Sequence, residues 1–157
     1  MTRTLGVLVL LVVASGTAAA YAPNVEYALN CQGCHRADGG GTPNSVPPLA
    51  GSVARFLGVP GGREYLVQVP GVAQAPLDDA TLAAVMNWML ARFDKEHLPA
   101  EFVPYDAAEI GRLRGKPLTD VETVRRRLLA AIRRRGFASR THPFSPADAG
   151  RPLPKGK

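Results

Sequence analysis

The stretch Cys31-Gln32-Gly33-Cys34-His35 is the most informative part of this chain for its fold. It holds the only two cysteines among 157 residues. Two thiols separated by two residues and followed at once by a histidine are the attachment signature of a c-type haem. On one helical turn, each thiol can add to one haem vinyl group, and the adjacent imidazole then lies under the iron as an axial ligand. The motif therefore predicts one covalent haem c, held by Cys31 and Cys34, with His35 as an iron ligand.

Three alternatives to haem attachment are weaker: a thioredoxin-like redox pair, half of a zinc site, or chance. A structural zinc site needs four nitrogen or sulfur ligands, and the sequence contains no second cysteine pair. A thioredoxin-like pair follows a strand in a βαβ context, and no segment here shows the alternation of a strand. Haem attachment is therefore the preferred interpretation.

The first twenty residues have the organisation of a secretory signal. Arg3 supplies a positive start, residues 5–13 an apolar core, and residues 18–20 three alanines at a cleavage site before Tyr21. The apolar run is short for a membrane span, and an uncleaved N-terminal anchor is the alternative. Bacterial haem attachment takes place outside the cytoplasm, so we expect segment 1–20 to be a signal peptide and the protein to be periplasmic.

Charge is distributed unevenly along the chain, although the formal net charge is only +6. Residues 21–110 carry five basic and ten acidic side chains, whereas residues 111–157 carry thirteen basic and three acidic ones. The basic part predicts one of three roles: covering the haem domain, binding an acidic redox partner, or binding an anionic membrane surface. We do not expect nucleic acid as a partner, because the protein is exported and few aromatic residues accompany the basic runs.

Hydrophobic periodicity predicts an all-α fold. A first helix is expected from Asn24, its N-cap, with the haem motif at the helix C-terminal end. Glycines and prolines between residues 39 and 48 predict a loop, and a short helix is expected from Arg63 until Pro70-Gly71 ends it. The strongest helix follows Asp78 as N-cap, because apolar residues recur at helical spacing from there to Phe93.

The sequence also predicts the division of the chain after the signal. We expect a haem domain over residues 21–98, a basic helical extension over residues 99–136, and a flexible tail over residues 137–157. Within the extension, Asp106–Arg114 is a helix candidate. Thr119 and Glu122 form a capping box that begins an arginine-rich helix, and Gly136 is placed to end that helix.

Over roughly residues 22–98 the chain resembles a class I cytochrome c. The resemblance rests on the Cys31–His35 motif at the end of a first helix, on the segment Pro47-Pro48-Leu49-Ala50-Gly51, and on the amphipathic last helix with Trp88. It implies that the carbonyl of Pro47 accepts the ring N–H of His35 and so orients the iron ligand. It also implies that Trp88 packs on the first helix.

The sequence departs from that family where the second axial ligand is expected. The family usually carries a methionine in a loop before the last helix, but residues 72–77 contain none. After residue 20 the only methionines are Met86 and Met89, both inside the predicted helix, where core packing is the ordinary role. Met89 is a weak candidate ligand; Gln74, His97 and His142 are weaker still. The second axial ligand is therefore left unassigned.

These observations favour a monohaem electron carrier that is not an enzyme. We expect it to pass single electrons between a partner dehydrogenase or oxidase and a respiratory carrier, because the sequence has one haem motif rather than two and no histidine with a clear role on the other side of the iron. The alternative is a sensor or catalytic domain whose open sixth iron position binds a diatomic gas or peroxide. A third hypothesis is an adaptor that tethers a larger complex through its arginine-rich helix.

Overall fold

A computed structural model describes residues 21–140, and this part of the chain is helical without a β-strand. The all-α prediction is confirmed. The helices are α1 (Pro23–Asn30), α2 (Gln32–His35), α3 (Gly62–Gln68), α4 (Pro70–Ala73), α5 (Asp79–Asp94), α6 (Ala107–Arg114) and α7 (Val121–Arg140), with 3-10 turns at Ala54–Gly58 and Lys95–His97.

Helix α1 begins earlier than its sequence signals suggest. Its N-cap is Ala22 rather than Asn24, and Pro23 occupies the first helical turn. Proline is well tolerated there because the N–H that it lacks would have no partner within the helix. The helix stops at Asn30, and Cys31 breaks the regular geometry before the separate turn of α2. The haem motif therefore follows α1 instead of ending it.

Helix α5 forms the centre of the molecule. The carboxylate of Asp78 accepts a hydrogen bond from the backbone N–H of Thr81 at 2.8 Å, which confirms Asp78 as the N-cap. The helix packs against both α1 and α6. Leu82 and Leu90 are among the most deeply buried side chains of the core. Because α5 contacts both the motif-bearing helix and the extension, it links these two parts of the fold.

The segment before α5 differs from its prediction. Pro70-Gly71 does end α3, but the pair also starts a further helical turn, α4. Pro70 takes the first helical position after Val69, whose extended backbone (φ −59°, ψ 135°) suits a residue before proline. The chain between α3 and α5 is thus a short, ordered connection.

The extension packs onto the haem domain. Helix α6, capped by Asp106, lies against α3 and α5, and α7 lies against α3 and the 3-10 turn at Ala54–Gly58. Leu128 of α7 is 2% exposed and belongs to the same core as α5. Its burial supports the prediction that the apolar stripe of the arginine-rich helix covers part of the haem domain.

Two details of α7 correct the sequence-based expectation. Asp120, not Thr119, accepts the capping hydrogen bond, from the N–H of Thr123 at 3.0 Å. The helix also continues through Gly136 to Arg140. A glycine ends a helix when the chain takes a left-handed turn there; Gly136 is not among the glycines with positive φ.

Some predictions concern residues outside the described range. They are the signal peptide at 1–20, His142 and most of the predicted tail. Within residues 21–140, no helix is both long enough and apolar enough to cross a membrane.

Candidate haem site

The haem motif forms one compact turn with both thiols free. The backbone N–H groups of Cys34 and His35 donate to the carbonyl of Cys31, at 3.2 and 3.0 Å. Cys31 is partly buried against the core, whereas Cys34 is exposed, and neither forms a disulfide. Burial raises the pKa of the Cys31 thiol, and the neighbouring Cys34 adds to this effect. The turn therefore presents two unpaired thiols next to His35.

A tight loop folds back against His35. The N–H of Gly41 donates to the carbonyl of His35 at 3.2 Å, and Thr42 pairs with Val46 in an isolated β-bridge. Gly41 has φ +68°, and a Cβ there would lie 2.8 Å from the Pro47 carbonyl oxygen, so only glycine allows this close approach. The loop brings Pro47 next to the histidine.

The imidazole of His35 has one ring nitrogen buried beside Pro47. Its Nδ1 atom is buried and has no hydrogen bond of regular geometry within the described residues. Burial lowers the pKa of His35, while a backbone interaction with Pro47 acts in the opposite direction. A neutral imidazole whose Nδ1 faces a carbonyl leaves Nε2 for a metal. These residues fit a covalent haem: two free thiols, and a histidine with one nitrogen uncommitted.

Aromatic side chains connect the motif to the last helix of the haem domain. The Tyr27 ring lies 5.3 Å from Trp88 and 5.2 Å from Phe93, between ring centroids. Its hydroxyl donates to the carbonyl of Arg36 at 2.8 Å, directly after the motif. Burial, with smaller contributions from Cys31 and Asp38, raises the pKa of Tyr27 to about 12. Trp88 thus packs on α1, as the family resemblance implied.

Three candidates for the second axial ligand lie in the packed core or at the end of α5. Met86 and Met89 lie in the packed core, at 3% and 6% exposure. His97 is held through Nδ1 by the carboxylate of Asp94, whose other oxygen accepts from the N–H of Ala54 at 2.8 Å. Both contacts give His97 a structural role at the end of α5.

Arg114 of α6 secures the chain where the family usually carries its methionine. Its guanidinium donates to the carbonyls of Ala73, Ala75 and Leu77, at 3.0, 2.5 and 2.7 Å. It also contacts the carboxylate of Asp79 at 3.2 Å. One side chain from the extension therefore bonds three carbonyls at the end of α4 and in the connection to α5.

Comparison with known proteins decides the family. A cytochrome c-552 of Thermus thermophilus is 34% identical over 145 residues, spanning 81% of this chain and 96% of the relative. A second cytochrome c-552 of the same species is 35% identical over 115 residues, spanning 62% of this chain and 88% of the relative. The chain belongs to the c-type cytochromes of the cytochrome c-552 family. No family model matches the sequence.

Membership confirms the main functional predictions. This cytochrome is a monohaem electron carrier with covalently bound haem c, and it is not an enzyme. Redox proteins are its partners in general terms. The resemblance drawn from the sequence is confirmed at the level of a c-type cytochrome.

Sequence reasoning missed two groups around the site, Tyr27 and Arg114. Tyr27 had a weak signal, because it precedes Cys31 by one helical turn. The Arg114 contacts join residues more than thirty positions apart. No local pattern in the sequence marks such pairs.

Proposed function

We propose that this cytochrome holds its haem through Cys31 and Cys34, with His35 as the axial ligand that Pro47 orients. Free thiols on one turn, an uncommitted imidazole and the adjacent proline carbonyl support this assignment. The bound haem supplies an iron that alternates between the ferrous and ferric states. The chain excludes water from one side of the imidazole and keeps its ring in one orientation.

Covalent attachment is tested by haem staining of the exported protein after denaturing electrophoresis. Wild type is expected to retain haem, and Cys31→Ala with Cys34→Ala together to lose it. Each single variant is expected to keep one thioether bond, which alters the haemochrome absorption maximum. Retention of haem by the double variant would contradict the assignment.

We propose further that the electron passes between a partner dehydrogenase or oxidase and a respiratory carrier, in the periplasm. Helix α7 supports a docking role, because Arg126, Arg127, Arg133 and Arg134 are exposed on one face at helical spacing. The opposite stripe of α7 is packed on the core, so this face points away from the haem domain. A face of this charge attracts an acidic redox protein.

An anionic membrane surface is the second kind of partner that the charge of this face of α7 attracts. Sedimentation with vesicles that contain an anionic lipid separates the two partners. Binding to anionic but not to neutral vesicles, lost at high salt, is the expected result for a membrane role. Binding to an acidic redox protein without binding to either kind of vesicle would show that this face serves protein docking only.

The sixth iron position distinguishes a simple carrier from the ligand-binding alternative. The observation that favours an accessible position is the lack of methionine in residues 72–77, together with the burial of Met86 and Met89. The ferrous spectrum tests it with carbon monoxide. A low-spin spectrum that carbon monoxide does not change supports a six-coordinate carrier; a spectrum that shifts shows an exchangeable position.

A further inference from the structure

A buried carboxylate lies beside the first residue that the structure describes. Glu26 of α1 is 7% exposed, and the backbone nitrogen of Tyr21 donates to its Oε1 atom at 3.3 Å. The signal sequence predicts cleavage between Ala20 and Tyr21, so the nitrogen that donates to Glu26 is the atom that cleavage would release. Neither haem attachment nor the charge of α7 involves this contact.

Glu26 has no cationic partner among the side chains that the structure describes. None of the ion pairs within residues 21–140 includes it. Its Oε2 atom accepts from the side-chain amide of Asn30 at 3.0 Å, and Tyr21 supplies the bond to the other oxygen. A buried carboxylate with neutral donors has lost hydration that a nearby cation would offset. Removal of the signal would place a cation at this position.

Cleavage changes the charge of the atom that faces Glu26. Hydrolysis of the Ala20–Tyr21 bond adds one water molecule, whose hydroxyl goes to the carbonyl carbon of Ala20, which leaves as a carboxylic acid. The Tyr21 nitrogen takes the remaining hydrogen and becomes a primary amine. An α-amino group has an ordinary pKa of about 8, so at neutral pH it is mostly an ammonium. The uncharged N–H of the precursor thereby becomes a charged donor at the same place.

We infer that Glu26 binds the α-ammonium group of Tyr21 in the mature protein and so fixes the new N-terminus on α1. This inference rests on the export to the periplasm proposed above and on cleavage of the signal. Asn30 connects the contact to the haem motif, because its side-chain amide also donates to the carbonyl of Glu26 at 3.0 Å and Cys31 follows directly. Cleavage thus strengthens the helix that precedes the two haem-binding thiols.

A thermodynamic cycle of four holoproteins tests the ion pair. It combines Glu26→Gln with an insertion of Gly-Ser between Ala20 and Tyr21, so that cleavage after Ala20 leaves the ammonium two residues away from its partner. Without the insertion, Glu26→Gln is expected to lower the folding equilibrium constant about fivefold more than with it. Equal effects would overturn the inference, because the helix dipole favours a carboxylate in the first turn of α1 in both backgrounds.

Glu101→Gln is the matched control for the loss of one negative charge. Glu101 is exposed and lies outside α1, so its replacement is expected to have the same small effect with and without the insertion. Denaturant unfolding at one pH and ionic strength, followed by haem absorbance, measures every protein of the set. If Glu101→Gln depends on the insertion as strongly as Glu26→Gln does, net charge explains the result and the inference fails.

A chemical measurement covers the case in which Glu26→Gln folds poorly. Cyanate carbamylates an α-amino group only in its unprotonated form, and an ion pair with a carboxylate keeps the amine protonated. The N-terminal peptide of wild type is expected to react about fivefold more slowly at neutral pH than that of the protein with the insertion, as followed by mass spectrometry. Equal rates would overturn the inference.

N-terminal sequencing of the exported wild type separates the ion pair from the processing that it requires. A chain that begins at Tyr21 is the expected result. If such a chain shows no coupling to Glu26 in the cycle, the ion pair alone is contradicted. A chain that begins at another residue or keeps its signal contradicts the cleavage on which the contact depends, and leaves haem attachment untouched.

Discussion

Tyr27 joins three parts of the haem site through one side chain. Its ring contacts Trp88 and Phe93 of α5, and its hydroxyl donates to the carbonyl of Arg36 immediately after the motif. Arg36 has φ +65°, an uncommon value for a residue with a side chain. The Tyr27 hydrogen bond therefore stabilises the chain reversal that follows His35.

Tyr27→Phe tests this hydrogen bond through pH. The variant is expected to be less stable than wild type at pH 8 by about 1 kcal/mol, the usual value of one such bond. The pKa of Tyr27 is raised to about 12, so the folded state holds the proton more tightly than the unfolded state. The contribution of Tyr27 is complete below pH 10 and is lost as the pH rises toward 12. Denaturant unfolding measures the free energy of unfolding at pH 8, before this loss, and at pH 11, during it.

The difference in stability between the two proteins is expected to shrink between these pH values. Other buried tyrosines also lose stability in this range, and Tyr65→Phe serves as the comparison because its hydroxyl belongs to another cluster. A gap between wild type and Tyr27→Phe that stays constant from pH 8 to pH 11 would show that the hydroxyl does not contribute in this way.

Met89→Leu tests the methionine that the sequence offered as a ligand. Met89 is packed in the core at 6% exposure, so we expect leucine to replace it with a stability change below about 1.5 kcal/mol. We also expect the haem absorption spectrum to remain unchanged, and Met86→Leu to behave alike. Disappearance of a sulfur-to-iron band in one variant alone would identify that methionine as the ligand.

At the level of elements, the connection between α4 and α5 is held from a distance. Its carbonyls point to Arg114, which is 17% exposed and comes from α6, outside the predicted haem domain. Local signals correctly predicted α5 from Asp78 and the spacing of its apolar residues. They did not predict this contact, because hydrogen bonds between residues 73–77 and 114 depend on how α6 packs against α5.

Arg114→Ala is expected to loosen that connection and to destabilise the protein by about 2 kcal/mol, because three carbonyls lose a charged donor. Arg112→Ala is the matched control, since Arg112 lies on the same helix but is exposed. Hydrogen exchange of residues 73–79 and thermal unfolding measure the two effects. Equal exchange in the two variants would mean that solvent replaces the guanidinium at no cost.

At the level of the whole molecule, the fold gives the uneven charge distribution of the sequence a defined arrangement in space. The segment 21–110 has five basic against ten acidic residues, and the basic segment that follows packs on it through Leu128. Composition alone predicted the sign of the net charge of each segment. It did not predict how these charges are arranged, because that depends on which face of α7 is buried. The structure places the apolar stripe inward and leaves exposed, among others, Arg126, Arg127, Arg133 and Arg134.

The combined change of Arg127→Gln and Arg134→Gln tests whether this charge serves docking. It is expected to lower the second-order rate of electron transfer with an acidic redox protein about fivefold at low ionic strength, because steering depends on the field of the outer face. Arg55→Gln with Arg92→Gln removes the same net charge from exposed positions of the haem domain and is expected to have a smaller effect. Stopped-flow absorbance of the haem reports the rate.

At high salt the rates of wild type and the two double variants should converge, since screening removes long-range attraction. If both double variants slow the reaction equally at low salt, net charge alone accounts for the rate and α7 has no special part in docking.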